Sequence, residues 1–161
     1  MDSEFTIRPA TPGDVPEITR LIRDLAEYEK LSHMAVGTDA MLHEQLFGAR
    51  PAAETMIALR GSRAVGFALY FTTFSTFLCK PGLYLEDLFV EPEHRGHGIG
   101  KALLARLAAL AVERGCGRLE WRVLDWNAPS IRFYESLGAK LMPEWELVRM
   151  TAPEFAALAS R

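Results

Sequence analysis

Two cysteines in 161 residues, Cys79 and Cys116, are too few for a disulfide framework or a zinc cluster. The chain therefore reads as one suited to a reducing cytoplasm. Its four histidines, His33, His43, His94 and His97, are dispersed. Only His94 and His97 lie close, around a glycine, with no carboxylate or thiolate at metal-site spacing, so no metal is expected. No apolar run approaches the roughly 18 to 20 residues that cross a bilayer. A net charge of −3 supplies no excess of either sign to attract nucleic acid or an anionic membrane. Repeats, low-complexity tracts and linkers are absent. The opening MDSEFTIRPA is acidic and leads straight into a strand-like segment, so it is not expected to be a signal peptide.

What is present has the length of one domain, residues 1–161, with a core-forming share of apolar residues. FTIR reads as a short strand. Thr11, Pro12 and Asp14 then spell a helix start, with Thr11 as cap, Pro12 in the first helical position and Asp14 in the capping-box place. Val15, Ile18, Leu21, Ile22, Leu25 and Tyr28 follow at helical spacing. A second helix is expected from Thr38 to Phe47. TMIALR and AVGFALYFTTF flank the turn GSR as a hairpin, and GLYLEDLFV is a third strand. Next come a helix ending before Gly115, a strand RLEWRVLD, a short helix APSIRFYESLG, a late strand ELVRMT and a terminal helix PEFAALAS. This order predicts an α/β (α+β) domain with a mixed, mostly antiparallel sheet and helices packed on it.

The segment RGHGIGK, between strand and helix, carries the strongest chemical signal. Gly96, Gly98 and Gly100 lack the G-x-G-x-x-G spacing of a dinucleotide fingerprint. Gly96 and Lys101 do not satisfy the phosphate loop of nucleotide hydrolases, and Ala102 has no hydroxyl for magnesium. Two readings remain open on spacing alone. One is a tight structural turn. The other is an anion site in which backbone N–H groups from Arg95 to Lys101 converge on a phosphate at a helix N-terminus.

Taken together, R-x-x-G-x-G after YLEDLFV, and WNAPSIRFYESLGA about thirty residues on, resemble the GNAT superfamily of acetyl-CoA-dependent N-acetyltransferases. IRPAT and VGFALYF extend the likeness over nearly the whole chain, with the polyamine (spermidine/spermine) and thialysine N-acetyltransferases nearest in pattern. The resemblance implies a twisted sheet of about six or seven strands with helices on both faces. It implies acetyl-CoA as acyl donor, a small-molecule amine as acceptor, and a homodimer built partly from the late strands.

Residue by residue, it implies that Arg95, Gly96, His97, Gly98, Ile99, Gly100 and Lys101 bind the pyrophosphate of CoA. Leu88, Phe89 and Val90 would pair with the pantetheine arm where the fourth and fifth strands splay beside a bulge. Asn127 and Ser130 would hold its far side. Tyr134 is the implied general acid for the leaving thiolate, and Glu86 assists deprotonation of the ammonium. Tyr28, Glu29, Glu86, Glu120, Trp121 and Arg122 are implied to line the amine site. Glu86 and Asp87 are neighbours on a strand and are expected on opposite faces, Asp87 as a structural hydrogen-bonding residue. Arg122 departs from the apolar residues of the polyamine enzymes. Facing the cleft, it would favour an amine that also carries a carboxylate. No acyl-enzyme is expected, because neither cysteine falls in these motifs. A protein acetyltransferase and a non-catalytic acyl-CoA-binding domain are the competing readings.

Overall fold

A computed structural model describes residues 4–161. They fall into two compact units, the first ending at Arg122 and the second running from Val123 to Arg161.

The first unit is built on a five-stranded sheet in sequential order, β1 (Thr6–Pro9), β2 (Glu54–Arg60), β3 (Arg63–Ser75), β4 (Lys80–Val90) and β5 (Arg118–Trp121). The first three pairings are antiparallel, with Gly61 and Ser62 turning β2 into β3. β5 returns parallel to β4 after α3 (Ile99–Glu113), because a parallel neighbour needs a crossover. α1 (Val15–Tyr28) and α2 (Asp39–Phe47) lie between β1 and β2 in the chain.

Helices cover both faces of the sheet. Ile57, Phe67, Leu69 and Phe89 form one buried cluster with Ile18, Leu21 and Leu25 of α1 and Leu46 of α2. The alternate residues Met56, Ala58 and Ala68 face the other way. On that side α3 packs across β2 to β5 with Leu103, Leu104 and Leu107 buried. α1 begins where Thr11 and Asp14 cap each other: the Thr11 N–H donates to Asp14 Oδ2 at 2.7 Å and the Asp14 N–H to Thr11 O at 2.9 Å. Arg8 adds two hydrogen bonds to the same carboxylate, at 2.7 and 3.0 Å. Pro12–Asp14 is a single tight turn, so the α-helix proper starts three residues later than Pro12 implies.

The second unit holds α4 (Ala128–Ser136) and α5 (Ala152–Ala159). Thr151 and Glu154 form the capping box of α5, with the Thr151 N–H donating to Glu154 at 2.8 Å. Two expectations change. The strand RLEWRVLD is only Arg118–Trp121, and ELVRMT is not a strand. A strand is made by its partner, and among the described residues the late segment pairs with no strand, whatever its β-branched and aromatic content. The described sheet therefore has five strands rather than six or seven.

Candidate active site

The site begins where β4 and β5 part. Their pairing runs from Gly82 opposite Arg118 to Leu85 opposite Trp121 and stops there. At the same point the β3–β4 register jumps, from Tyr70 opposite Leu85 to Leu69 opposite Asp87. Glu86 has no residue facing it and is the extra residue of a β-bulge. Beyond it, Asp87 to Val90 pair with β3 on one side and with no described strand on the other.

That bulge removes the strict alternation on which the expectation of opposite faces for Glu86 and Asp87 rested, since alternation fails where a residue is inserted. Asp87 stands opposite Leu69, on the face covered by α1. Its carboxyl is pushed up to about 7, by burial first and then by the charges of Glu86 and Glu29. Glu29 follows the last residue of α1, and partial burial raises its own pKa. Three carboxyl groups, from the end of one helix and the bulge of one strand, thus share a small region. Sequence reading singled out Glu29 and Glu86. It missed Asp87 as a member because only pairing register reveals the bulge.

β5 supplies another wall. Tyr84 stacks on Phe71 with ring centres 5.1 Å apart, and the Arg122 guanidinium sits 5.4 Å from the Tyr84 ring centre. Burial raises the Tyr84 phenol; Arg122 opposes this, whereas Glu86 and Glu120 add to it. Arg122 therefore shares a face with Tyr84, near Glu86. Glu120 pairs opposite Tyr84, while Trp121 pairs opposite Leu85 and lies on the other face of the strand.

The glycine loop continues from β4 through the turn Pro92–His94. Gly96 and Gly98 have φ of +77° and +80°, which a side chain rarely adopts, and a Cβ at either would meet nothing within 4 Å. Their requirement is conformational. Gly100 has ordinary φ and lies against Val90, 3.9 Å from where its Cβ would be. Ala102 makes the first bond of α3, to Gly98 O at 2.9 Å, so the N–H groups of Ile99, Gly100 and Lys101 point out of the helix end. The Arg95 N–H is already committed to Pro92 O at 3.2 Å. The Arg95 side chain turns back onto the protein, 4.8 Å from the Tyr28 ring centre and 5.5 Å from that of Phe89, and Nε donates to Val90 O at 2.8 Å. The donors left for an anion therefore start after Arg95.

A strand edge without a partner, running into a helix end rich in open donors, suits an extended chain that ends in phosphates. The family model of the acetyltransferase (GNAT) family matches residues 19–139. The chain belongs to the GNAT family. Like other members it is an acetyl-CoA-dependent acyltransferase. It is 34% identical to an L-ornithine N5-acetyltransferase of Arabidopsis thaliana, over 94% of this chain and 86% of that one. It is 37% identical to a thialysine N-epsilon-acetyltransferase of Bos taurus, over 96% and 97% of the two chains. An integron cassette protein from the mobile metagenome of V. cholerae superposes with a TM-score of 0.83 at 27% identity, over 100% of this chain and 99% of that one.

The remaining GNAT motif residues lie in the second unit. Asn127 is buried and caps α4, its Oδ1 accepting from the Ser130 N–H at 3.4 Å. Tyr134 is half-buried within α4, its ring centre 5.5 Å from that of Phe133. Two cavities of about 280 and 240 Å³ open elsewhere in the first unit, lined by none of the candidate site residues. One expectation about His94 fails. Among the described residues, ligand atoms of Glu91, Glu93 and His94 all lie within 4.8 Å of one another. The Glu91 carboxylate already accepts from two arginines, so a cation there would meet guanidinium charge first. No helix among the described residues is long and apolar enough to cross a membrane.

Proposed function

We propose that the chain is an N-acetyltransferase moving the acetyl group of acetyl-CoA to a primary amine of a small molecule. The amine belongs to a diamine, a polyamine or an amino acid with a side-chain amine. The observation that carries this reading is the bulge at Glu86. It sets three carboxyl groups, those of Glu29, Glu86 and Asp87, beside the free edge of β4, just before the loop of open donors. Carboxylates attract an ammonium, and one whose pKa lies near 7 can take its proton at neutral pH.

In the proposed reaction the ammonium loses a proton to Glu86, with Asp87 sharing the load. The neutral nitrogen attacks the thioester carbonyl, the C–N bond forms and the C–S bond breaks. The departing thiolate takes a proton from Tyr134, whose role rests on the family motif. Leu88, Phe89 and Val90 hold the pantetheine arm, Gly96 to Lys101 the pyrophosphate, and Asn127 and Ser130 the arm's far side. The family match spans both compact units, which supports reading 1–161 as one acetyltransferase domain. Arg122 over the Tyr84 ring, which the charge of Glu86 also reaches, favours an amine that also bears a carboxylate, in line with the ornithine and thialysine named for two relatives. The working form is proposed to be a soluble cytoplasmic homodimer that needs neither metal, nucleic acid nor membrane.

Thiol release from acetyl-CoA tests this against ornithine, thialysine, lysine, spermidine, putrescine and a peptide N-terminus. Turnover with the amino acids is expected to exceed that with the diamines. Turnover on the peptide alone would sink the small-amine reading, and none on any acceptor would sink catalysis.

A further inference from the structure

Eight residues before Ile99, the first open donor at the α3 end, a buried carboxylate is held by more cations than it needs. Glu91 directly follows β4, and its side chain is 5% exposed. Oε1 accepts from Arg20 of α1 at 2.5 Å and from Arg63 of β3 at 2.8 Å. Arg20 also donates to Ala64 O at 2.8 Å, which locks it to the β2–β3 hairpin. Glu91 Oε2 is buried without a hydrogen-bond partner and lies 3.6 Å from His94 Nε2. The other ring nitrogen, Nδ1, lies 3.2 Å from Arg60 Nη1 at the end of β2. Arginine only donates, so Nδ1 accepts and the proton of the neutral ring is on Nε2, towards Glu91. Burial by itself would raise the Glu91 pKa; hydrogen bonds from Arg63 and Arg20 outweigh it and hold the group ionised.

A buried ion cluster is weak evidence for stability, because desolvation offsets much of its attraction. Its place in the chain points to another use. Glu91 and His94 bracket the turn Pro92–His94, and Arg95 is pinned separately to Tyr28, Phe89 and Val90 O. From there to the start of α3 at Ile99 only Gly96, His97 and Gly98 intervene, two of them with positive φ. The loop is therefore fixed at its ends and free to adapt only between them. Backbone donors stabilise a phosphate only if they are aimed beforehand, and the residues that do the aiming need not touch the ligand.

We propose that Glu91 and His94 are positioning residues for acetyl-CoA: with Arg20, Arg63 and Arg60 they fix the turn that aims the loop's N–H groups at the pyrophosphate. This rests on the acetyl-CoA reading above. Electrostatics gives the test its sign. Glu91→Gln removes a negative charge close to an anion site, which by charge alone would tighten CoA binding; loss of positioning loosens it.

The experiment is calorimetric titration of CoA into the parent, Glu91→Gln, His94→Ala and His94→Asn, with steady-state KM for the amine in parallel. We expect Kd for CoA to rise about tenfold in Glu91→Gln and His94→Ala, with the amine KM within about twofold of the parent. Asn sets an acceptor where Nδ1 stood, so His94→Asn should recover most of the affinity lost in His94→Ala. Because Glu91→Gln removes the buried charge that Arg20 and Arg63 share and can fail to fold, the two His94 variants carry the test alone if it does. Folded variants whose CoA affinity is unchanged or tighter overturn the proposal while leaving the acetyltransferase reading intact. Equal weakening towards CoA and amine also overturns it, as a general loss of structure. A parent that binds no CoA overturns both.

Discussion

Asp87 gains its chemistry from its neighbours rather than its identity. An ordinary aspartate titrates near 3.8; this one is pushed up to about 7 by burial, Glu86 and Glu29. With the folded pKa above the unfolded one, the folded state holds the extra proton between about pH 4 and 7, so this group's contribution to stability falls as pH rises through that window. The shift corresponds to at most about 4 kcal/mol, since each unit is worth about 1.4 kcal/mol. Asp87→Asn cannot ionise, so urea unfolding at pH 5 and pH 8 should show a smaller loss at pH 8 for the variant than for the parent. Activity should move the other way. We expect kcat/KM for the amine to rise through about pH 7 in the parent, and Asp87→Asn to lose that limb and about a hundredfold in rate. An unchanged pH–rate profile would remove Asp87 from proton transfer. Arg122 has a separate signature. Arg122→Leu should raise KM for ornithine about tenfold and leave KM for putrescine, which has no carboxylate, nearly unchanged. Equal effects on both would show that Arg122 does not read the carboxylate. The motif residues were legible in the sequence because their spacing is the signal. Asp87 was not, because its role depends on which residue of β3 stands opposite it.

At the scale of elements, apolar pattern, caps and terminators identified α1, α2, β2, β3, β4, α3 and α4, and all of these but α4 bury residues of their own. They failed where an element depends on something outside itself. The bulge at Glu86 comes from a register set between two strands, and β5 ends at Trp121 because β4 leaves it there. The glycine spacing before α3 left a tight turn and an anion site both open, with the family resemblance favouring the second, and the glycine conformations separate two roles that sequence could not. Gly98 needs positive φ, whereas Gly100 does not. Alanine at φ near +80° costs about 1 to 2 kcal/mol even in open space. Gly61 has φ +58° with equally open surroundings, at the far end of the hairpin turn. Gly98→Ala and Gly61→Ala should therefore lower the melting temperature by similar amounts, while only Gly98→Ala weakens CoA binding, by about tenfold. Equal CoA affinity in the two variants would mean that the Gly98 conformation serves folding rather than the anion site.

At the scale of the whole molecule, the two units differ in how well they bury their apolar residues. The first places Ile18, Leu21, Ile57, Phe67, Leu83, Leu103 and Leu107 almost wholly out of solvent. In the second, Trp145 is 75% exposed and Val148 88%, and Leu141, Met142, Leu147, Met150, Phe155 and Leu158 are also exposed. We propose that this stretch serves an interaction with a second copy of the chain. The strand expected over ELVRMT and its absence here have one explanation in common. The β-type pattern is present, and among the described residues the segment is in no strand. A second copy presenting the same segment would supply a pairing partner, by an isologous contact. Sedimentation should then give a mass of about twice 18.0 kDa at micromolar concentration. Val148→Glu and Trp145→Glu place a charge in that contact and should give monomers whose first unit still unfolds cooperatively. A parent that sediments as a monomer at every concentration would mean that these side chains serve some purpose other than self-association.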